Sequence, residues 1–93
     1  MSKLMKLKRF HKYNFIYITK NLITSHYYIG FHATNNINDQ YFGNGKLLNK
    51  KMLEYEKNNF TREILENINP ENWREKEKYW IERMKSHIKF LVI

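Results

Sequence analysis

The sequence predicts an α+β domain whose elements run strand, strand, helix, strand, helix. Three observations carry this. Two segments dense in β-branched and aromatic residues, Tyr13 to Lys20 and His26 to Phe31, are separated by only Asn21 to Ser25, as in an antiparallel hairpin. The run from Lys46 to Lys57 spaces Leu48, Met52 and Tyr55 by four and then three residues, the pattern of a short amphipathic helix. Asn69-Pro70 then opens a longer helix, because Asn caps free amides and Pro at the first turn sacrifices no hydrogen bond.

In chain order, residues 1–12 carry Lys3, Lys6, Lys8, Arg9 and Lys12 and read as a basic arm or an extra strand, ahead of a folded domain over 13–87 and a tail over 88–93. Setting Lys20 opposite Ser25 in the hairpin puts Phe15, Tyr17, Thr19, His26, Tyr28 and Gly30 on one face. Ile16, Ile18, Tyr27, Ile29 and Phe31 form the other, which is expected to face the core. The first face then presents Tyr17 directly across from Tyr28, beside a glycine that clears space. His32 to Gly45 is rich in Asn and Gly without periodicity and reads as a binding loop. The helix after it turns a lysine-rich side outward, with Lys46 and Lys50 on it. In Asn59 to Ile68, Phe60, Ile64 and Ile68 share one parity with Arg62 and Glu66 between them, an imperfect strand alternation. Along the last helix, from Pro70 to His87, Trp73, Trp80, Ile81, Met84 and Ile88 form an apolar stripe, and Glu77 falls inside it, about 40° from Trp73 on the helical wheel. A carboxylate there is costly to bury unless a cation or a hydrogen-bond donor meets it.

Composition narrows the function. The chain has 93 residues, one domain's worth, and 15 aromatics if its seven Tyr, six Phe and two Trp are summed, too much apolar bulk for a disordered segment. It has no Cys, which excludes disulfides, thiolate nucleophiles and Cys-ligated zinc and leaves the cytoplasm as the expected setting. His11, His26, His32 and His87 have no zinc-like spacing. Neither a signal-peptide centre nor a stretch long enough to span a bilayer is visible, so no membrane partner is expected. Seventeen Lys and Arg against nine Asp and Glu leave a net charge of +8, which favours nucleic acid as partner. The tyrosines, the inward glutamate and the basic surplus lack a nucleophilic triad but suit metal-assisted phosphodiester hydrolysis. A phenol whose pKa is lowered by cations can take a proton from water, a carboxylate can hold Mg²⁺, and cations can offset charge on the phosphorane.

The triplets Phe15-Ile16-Tyr17 and Tyr28-Ile29-Gly30, ten residues apart, resemble the paired signature of the GIY-YIG nuclease superfamily. Thr19-Lys20-Asn21, Asn59 to Leu65, and Arg74-Glu75-Lys76-Glu77-Lys78-Tyr79-Trp80-Ile81 extend the likeness to its phage homing-endonuclease branch. The resemblance covers roughly Tyr13 to Lys85 and implies a three-stranded antiparallel sheet flanked by helices, with Tyr17 and Tyr28 beside Glu77 in one cleft. It implies a divalent ion, Mg²⁺ or Mn²⁺, on Glu77 and no small-molecule cofactor. Tyr17 would help activate water and Tyr28 would bond the water or a phosphate oxygen. Three positions depart from the family pattern: Phe15 replaces a glycine, Asn38 stands where an arginine is usual, and the segment 88–93 lacks the customary asparagine. His32 is the candidate substitute for the arginine, with Lys46 second. Lys46, Lys50, Arg62 and Arg74 are the expected DNA contacts. No linker and helix-turn-helix is visible, so selectivity is expected to be low or to come from a partner protein. The competing readings are an inactive DNA-binding remnant of the same fold, a single-stranded nucleic-acid binder that stacks bases on Phe15, Tyr17 and Tyr28, and a basic adaptor for an acidic protein.

Overall fold

The computed structural model describes residues 11–87. The expectations for the arm up to residue 10, for Ile88 and for the tail over 88–93 lie outside the described residues. Strand β1 (Tyr13–Asn21) pairs antiparallel with β2 (Tyr27–Thr34) on one side and with β3 (Phe60–Asn67) on the other, giving a three-stranded sheet ordered β2-β1-β3. Helix α1 (Lys46–Tyr55) and a 3-10 turn (Lys57–Asn59) lie between β2 and β3, and a second 3-10 turn (Pro70–Asn72) leads directly into α2 (Trp73–His87). The α+β class, the element order and the antiparallel three-stranded sheet are those expected. Among the described residues no helix is long and apolar enough to cross a membrane.

The hairpin register differs from expectation. Lys20 pairs with Tyr27 rather than Ser25, and Tyr17 sits opposite Gly30 while Tyr28 sits opposite Thr19. The turn accounts for the shift. Asn21 Oδ1 accepts the amides of Ile23 and Thr24, at 3.0 and 3.3 Å, and Ser25 takes a left-handed φ of 68°, which closes the chain so that Asn21 N–H reaches His26 O at 2.9 Å. A two-residue slip preserves parity, so each side chain keeps its predicted face.

The central position of β1 buries both of its faces. Ile16, Ile18 and Ile29 pack beneath Trp80, Ile81 and Met84 of α2, the expected core, where each fully buried aliphatic contributes about 1.5–3 kcal/mol. The opposite face, which was not the expected core face, is buried as completely along β1: Phe15 is 0%, Tyr17 1% and Thr19 0% exposed. Helix α1 and the loop after β2 cover it, with Leu48 of α1 joining Phe60, Tyr28 and Phe42 in a second cluster. The imperfect alternation of β3 has a local cause. A β-bulge interrupts the pairing between Ile16↔Glu66 and Tyr17↔Ile64, so Arg62 and Ile64 share the Tyr17 face while Glu66 shares the Ile16 face. Before α2, Asn69 Oδ1 accepts Glu71 N–H at 2.9 Å, the cap that Asn-Pro predicts.

Candidate active site

Tyr17 stands at the middle of β1, and its ring fits because its partner across the strand is glycine. A Cβ at Gly30 would lie 2.6 Å from Tyr17 Oη and 2.9 Å from Cζ. Gly30→Ala is therefore expected to cost about 1–3 kcal/mol, read by urea or thermal melting, because the buried ring cannot yield without disturbing its neighbours. An unchanged midpoint would show that the ring has free room. Phe15 is accommodated as core: its ring meets Tyr17 edge-on at 6.4 Å and His32 edge-on at 5.7 Å.

Tyr28 lies 6.3 Å from Tyr17, ring to ring, and is half-buried. The loop ahead of α1 wraps it: Asn44 donates a backbone hydrogen bond to the Tyr28 hydroxyl, and Gly43, with φ of 142°, passes so close that any side chain there would meet the Tyr28 ring and Leu48. A third phenol, which the sequence reading passed over, completes the group. Tyr41 stands edge-on to Tyr17 at 5.9 Å and stacks flat on His32 at 3.8 Å with an interplanar angle of 7°. The available signal was the aromatic pair Tyr41-Phe42 at the border of the Gly-rich stretch. Burial holds the Tyr17 hydroxyl well above the ordinary phenol range, and the proximity of Tyr41, then Tyr28, adds to it. Tyr28 is raised for the same first reason, with Tyr41 and Glu77 next. In the protein by itself both phenols are thus raised rather than lowered, and both are neutral at physiological pH.

Glu77 approaches from α2 at the sheet edge. The Asn21–His26 bond makes the odd-numbered residues of β1 the mutually bonded pairs, so Phe31, opposite Ile16, turns its N–H to the open side of β2. The Glu77 carboxylate accepts that N–H, which partly offsets a pKa raised by burial. Its charge in turn raises Tyr17 and Tyr28, so the three expected residues lie within electrostatic reach of one another. Three contacts set the helix that carries it. Trp73 stacks on Phe31 at 5.2 Å, and Glu66 of β3 takes Lys76 Nζ and Trp80 Nε1, both at 2.9 Å. The Lys76 and Trp80 bonds hold Glu66 below its usual value.

Among the described residues no ion pair engages Glu77, and no group of three or more His, Cys, Asp and Glu converges as a metal cage. A single carboxylate fits a hard ion such as Mg²⁺, which binds through one or two carboxylates and leaves its other positions to water and phosphate. The desolvated, incompletely satisfied charge of Glu77 is the feature that fits such an ion. His32 lies among the phenols with Nε2 2.7 Å from Asp39 Oδ2. Desolvation acts to raise Asp39, but hydrogen bonds from His32, Thr34 and the Tyr41 amide carry it well below the usual carboxylate range. Of the expected DNA contacts, Lys46 and Lys50 are exposed on α1, one turn apart, and Arg74 is exposed on α2 with its guanidinium 4.7 Å over Trp73. Arg62 departs from that group. Its side chain is only 12% exposed and its guanidinium is bonded within the protein.

The chain is similar to proteins of Enterobacteria phage T4. It is 41% identical over 61 residues to the endonuclease segA, covering 66% of this chain and 28% of segA. It is 47% identical over 53 residues to segE, which carries the name endonuclease provisionally, covering 57% of this chain and 26% of segE. With segB, named in the same provisional way, it shares 44% over 52 residues, 56% of this chain and 24% of segB. The chain thus spans about a quarter of the length of these relatives. No protein-family model and no solved structure matches it.

Proposed function

We propose that the likeness to phage endonucleases extends to their chemistry, and that this chain carries the phosphodiester-cleaving unit of a small DNA endonuclease or nickase, dependent on Mg²⁺ or Mn²⁺, of GIY-YIG type and homing kind. The observation that carries the reading is the meeting of a desolvated carboxylate on α2 with two strand tyrosines, at one edge of a basic protein. Glu77 holds the divalent ion, which supplies Lewis-acid stabilisation of the phosphate when bound. Tyr17, a neutral phenol, orients the attacking water and takes its proton only while passing its own hydroxyl proton to the neighbouring hydroxyl of Tyr41 or Tyr28 and from there to solvent, so the phenol is neutral before and after. Tyr28, the more exposed of the pair, bonds the water or a phosphate oxygen. His32 offsets charge on the phosphate in place of the arginine whose position is Asn38.

Lys46 and Lys50, four residues apart on α1, and Arg74 supply phosphate contacts. Two to three such contacts make duplex affinity fall about tenfold or more between roughly 50 and 200 mM salt, and changing both lysines to alanine reduces the logarithmic salt slope by about two. A salt-insensitive affinity would point instead to an aromatic or protein-binding surface. Incubation with supercoiled plasmid in Mg²⁺ and then in EDTA tests the reaction itself: nicked circles in the first and none in the second are expected. One observation favours a second reading. Tyr17 is 1% exposed and its hydroxyl is strongly held neutral, which suits a DNA-binding unit without activity. Affinity without nicking in either metal would select it.

A further inference from the structure

Arg62 projects from β3 into the loop that follows β2 and bonds to three acceptors there. Nη1 donates to Asp39 Oδ1 at 3.2 Å and to Tyr41 O at 3.0 Å, and Nη2 donates to Ile37 O at 2.7 Å. The guanidinium also lies 5.1 Å over the Phe15 ring. Asp39 passes the connection on, because Oδ1 also accepts the Tyr41 amide at 3.1 Å and Oδ2 binds His32 Nε2 at 2.7 Å. Tyr41 then stacks on that same His32 and abuts Tyr17. Between the acceptors sits Gln40, held at a φ of 62° that a free glutamine disfavours, so this segment keeps its shape against local preference.

We propose that Arg62 is a positioning residue: by clamping residues 37–41 it sets Tyr41 and His32 against the Tyr17 hydroxyl, and it does not contact DNA. The catalytic half rests on the nuclease reading of Tyr17, whereas the loop-ordering half stands by itself. The planar fork of guanidinium donors spans three acceptors at once, which the compact ammonium of lysine cannot do although it keeps the charge. Arg62→Lys and Arg62→Met therefore behave alike under this proposal, and differently if Arg62 binds phosphate.

The test compares wild type, Arg62→Lys and Arg62→Met by amide hydrogen exchange, by plasmid nicking and by the salt dependence of duplex binding. In both variants exchange at the amides of residues 38–41 is expected to quicken at least about tenfold relative to the sheet. Nicking kcat falls by about tenfold or more with KM within about twofold, as for an interaction that shapes the site rather than binds substrate. The salt slope stays at the wild-type value. Retention of wild-type exchange and rate by Arg62→Lys, or a salt slope reduced by about one in Arg62→Met alone, overturns the proposal. If wild type does not nick, the catalytic half falls with the nuclease reading, and the exchange measurement decides whether the clamp exists.

Discussion

Glu77→Gln yields a folded protein, at least as heat-stable as wild type at pH 7, that no longer nicks supercoiled plasmid in Mg²⁺. The two halves of this expectation have one cause. Burial raises the Glu77 carboxyl above its usual 4.5, and the Phe31 amide offsets only part of that. A carboxyl raised in the folded state contributes stability when protonated, below its unfolded value, and that contribution is lost as pH rises through the folded value. At neutral pH the ionised group is therefore a cost, which an isosteric amide removes while still accepting the Phe31 N–H. The stability advantage of the variant vanishes near pH 4 and below. Activity moves the other way, since removing the charge that holds the ion forfeits several kcal/mol of transition-state stabilisation, or at least about 10³-fold in rate. Glu75→Ala, exposed on the same helix, leaves the rate unchanged and controls for general charge effects. Wild-type nicking by Glu77→Gln would remove the carboxylate from the reaction.

Tyr17→Phe is the second large expectation: a rate lower by about 10²–10⁴ for a stability cost of about 0.5–1.5 kcal/mol. The phenylalanine ring keeps the contacts of the tyrosine with Phe15, Tyr28, Tyr41 and the surface of Gly30, so only the hydroxyl is lost. That hydroxyl interacts with Tyr41 and Tyr28, which explains the modest stability term. Single-turnover nicking and thermal melting on the same preparation separate the two quantities. A variant that melts like wild type and cleaves like wild type would leave Tyr17 a packing residue, and the second phenol of the signature would need another explanation.

How far the site was legible in the sequence differs from residue to residue. Glu77 was visible as a carboxylate on an apolar helical stripe, because helical periodicity is fixed by local geometry. Tyr17 and Tyr28 were visible on one face of a hairpin, because a two-residue error in register leaves parity intact; which residue lies across from which was not, since the Asn21 hydrogen bonds and the left-handed Ser25 that set the register exist only in the folded turn. The β3 alternation looked flawed because the bulge near Leu65 exchanges faces partway along the strand. Arg62 counted as a surface cation, but its acceptors lie at Ile37, Asp39 and Tyr41, more than twenty residues away, where no local pattern could indicate them.

The sequence alone determined the order and type of the elements, the Asn-Pro cap of the turn that leads into the last helix and the inward placement of one carboxylate. All of these follow from contacts between near neighbours along the chain. Tertiary structure alone decided that β1 lies in the middle of the sheet with both faces buried, that Tyr41 and Asp39 join the phenols, and that Arg62 serves a loop instead of the surface. The reason is physical: strand order, bulges and long-range hydrogen bonds depend on which distant segments exclude water from one another, and that outcome is settled only when the whole chain packs.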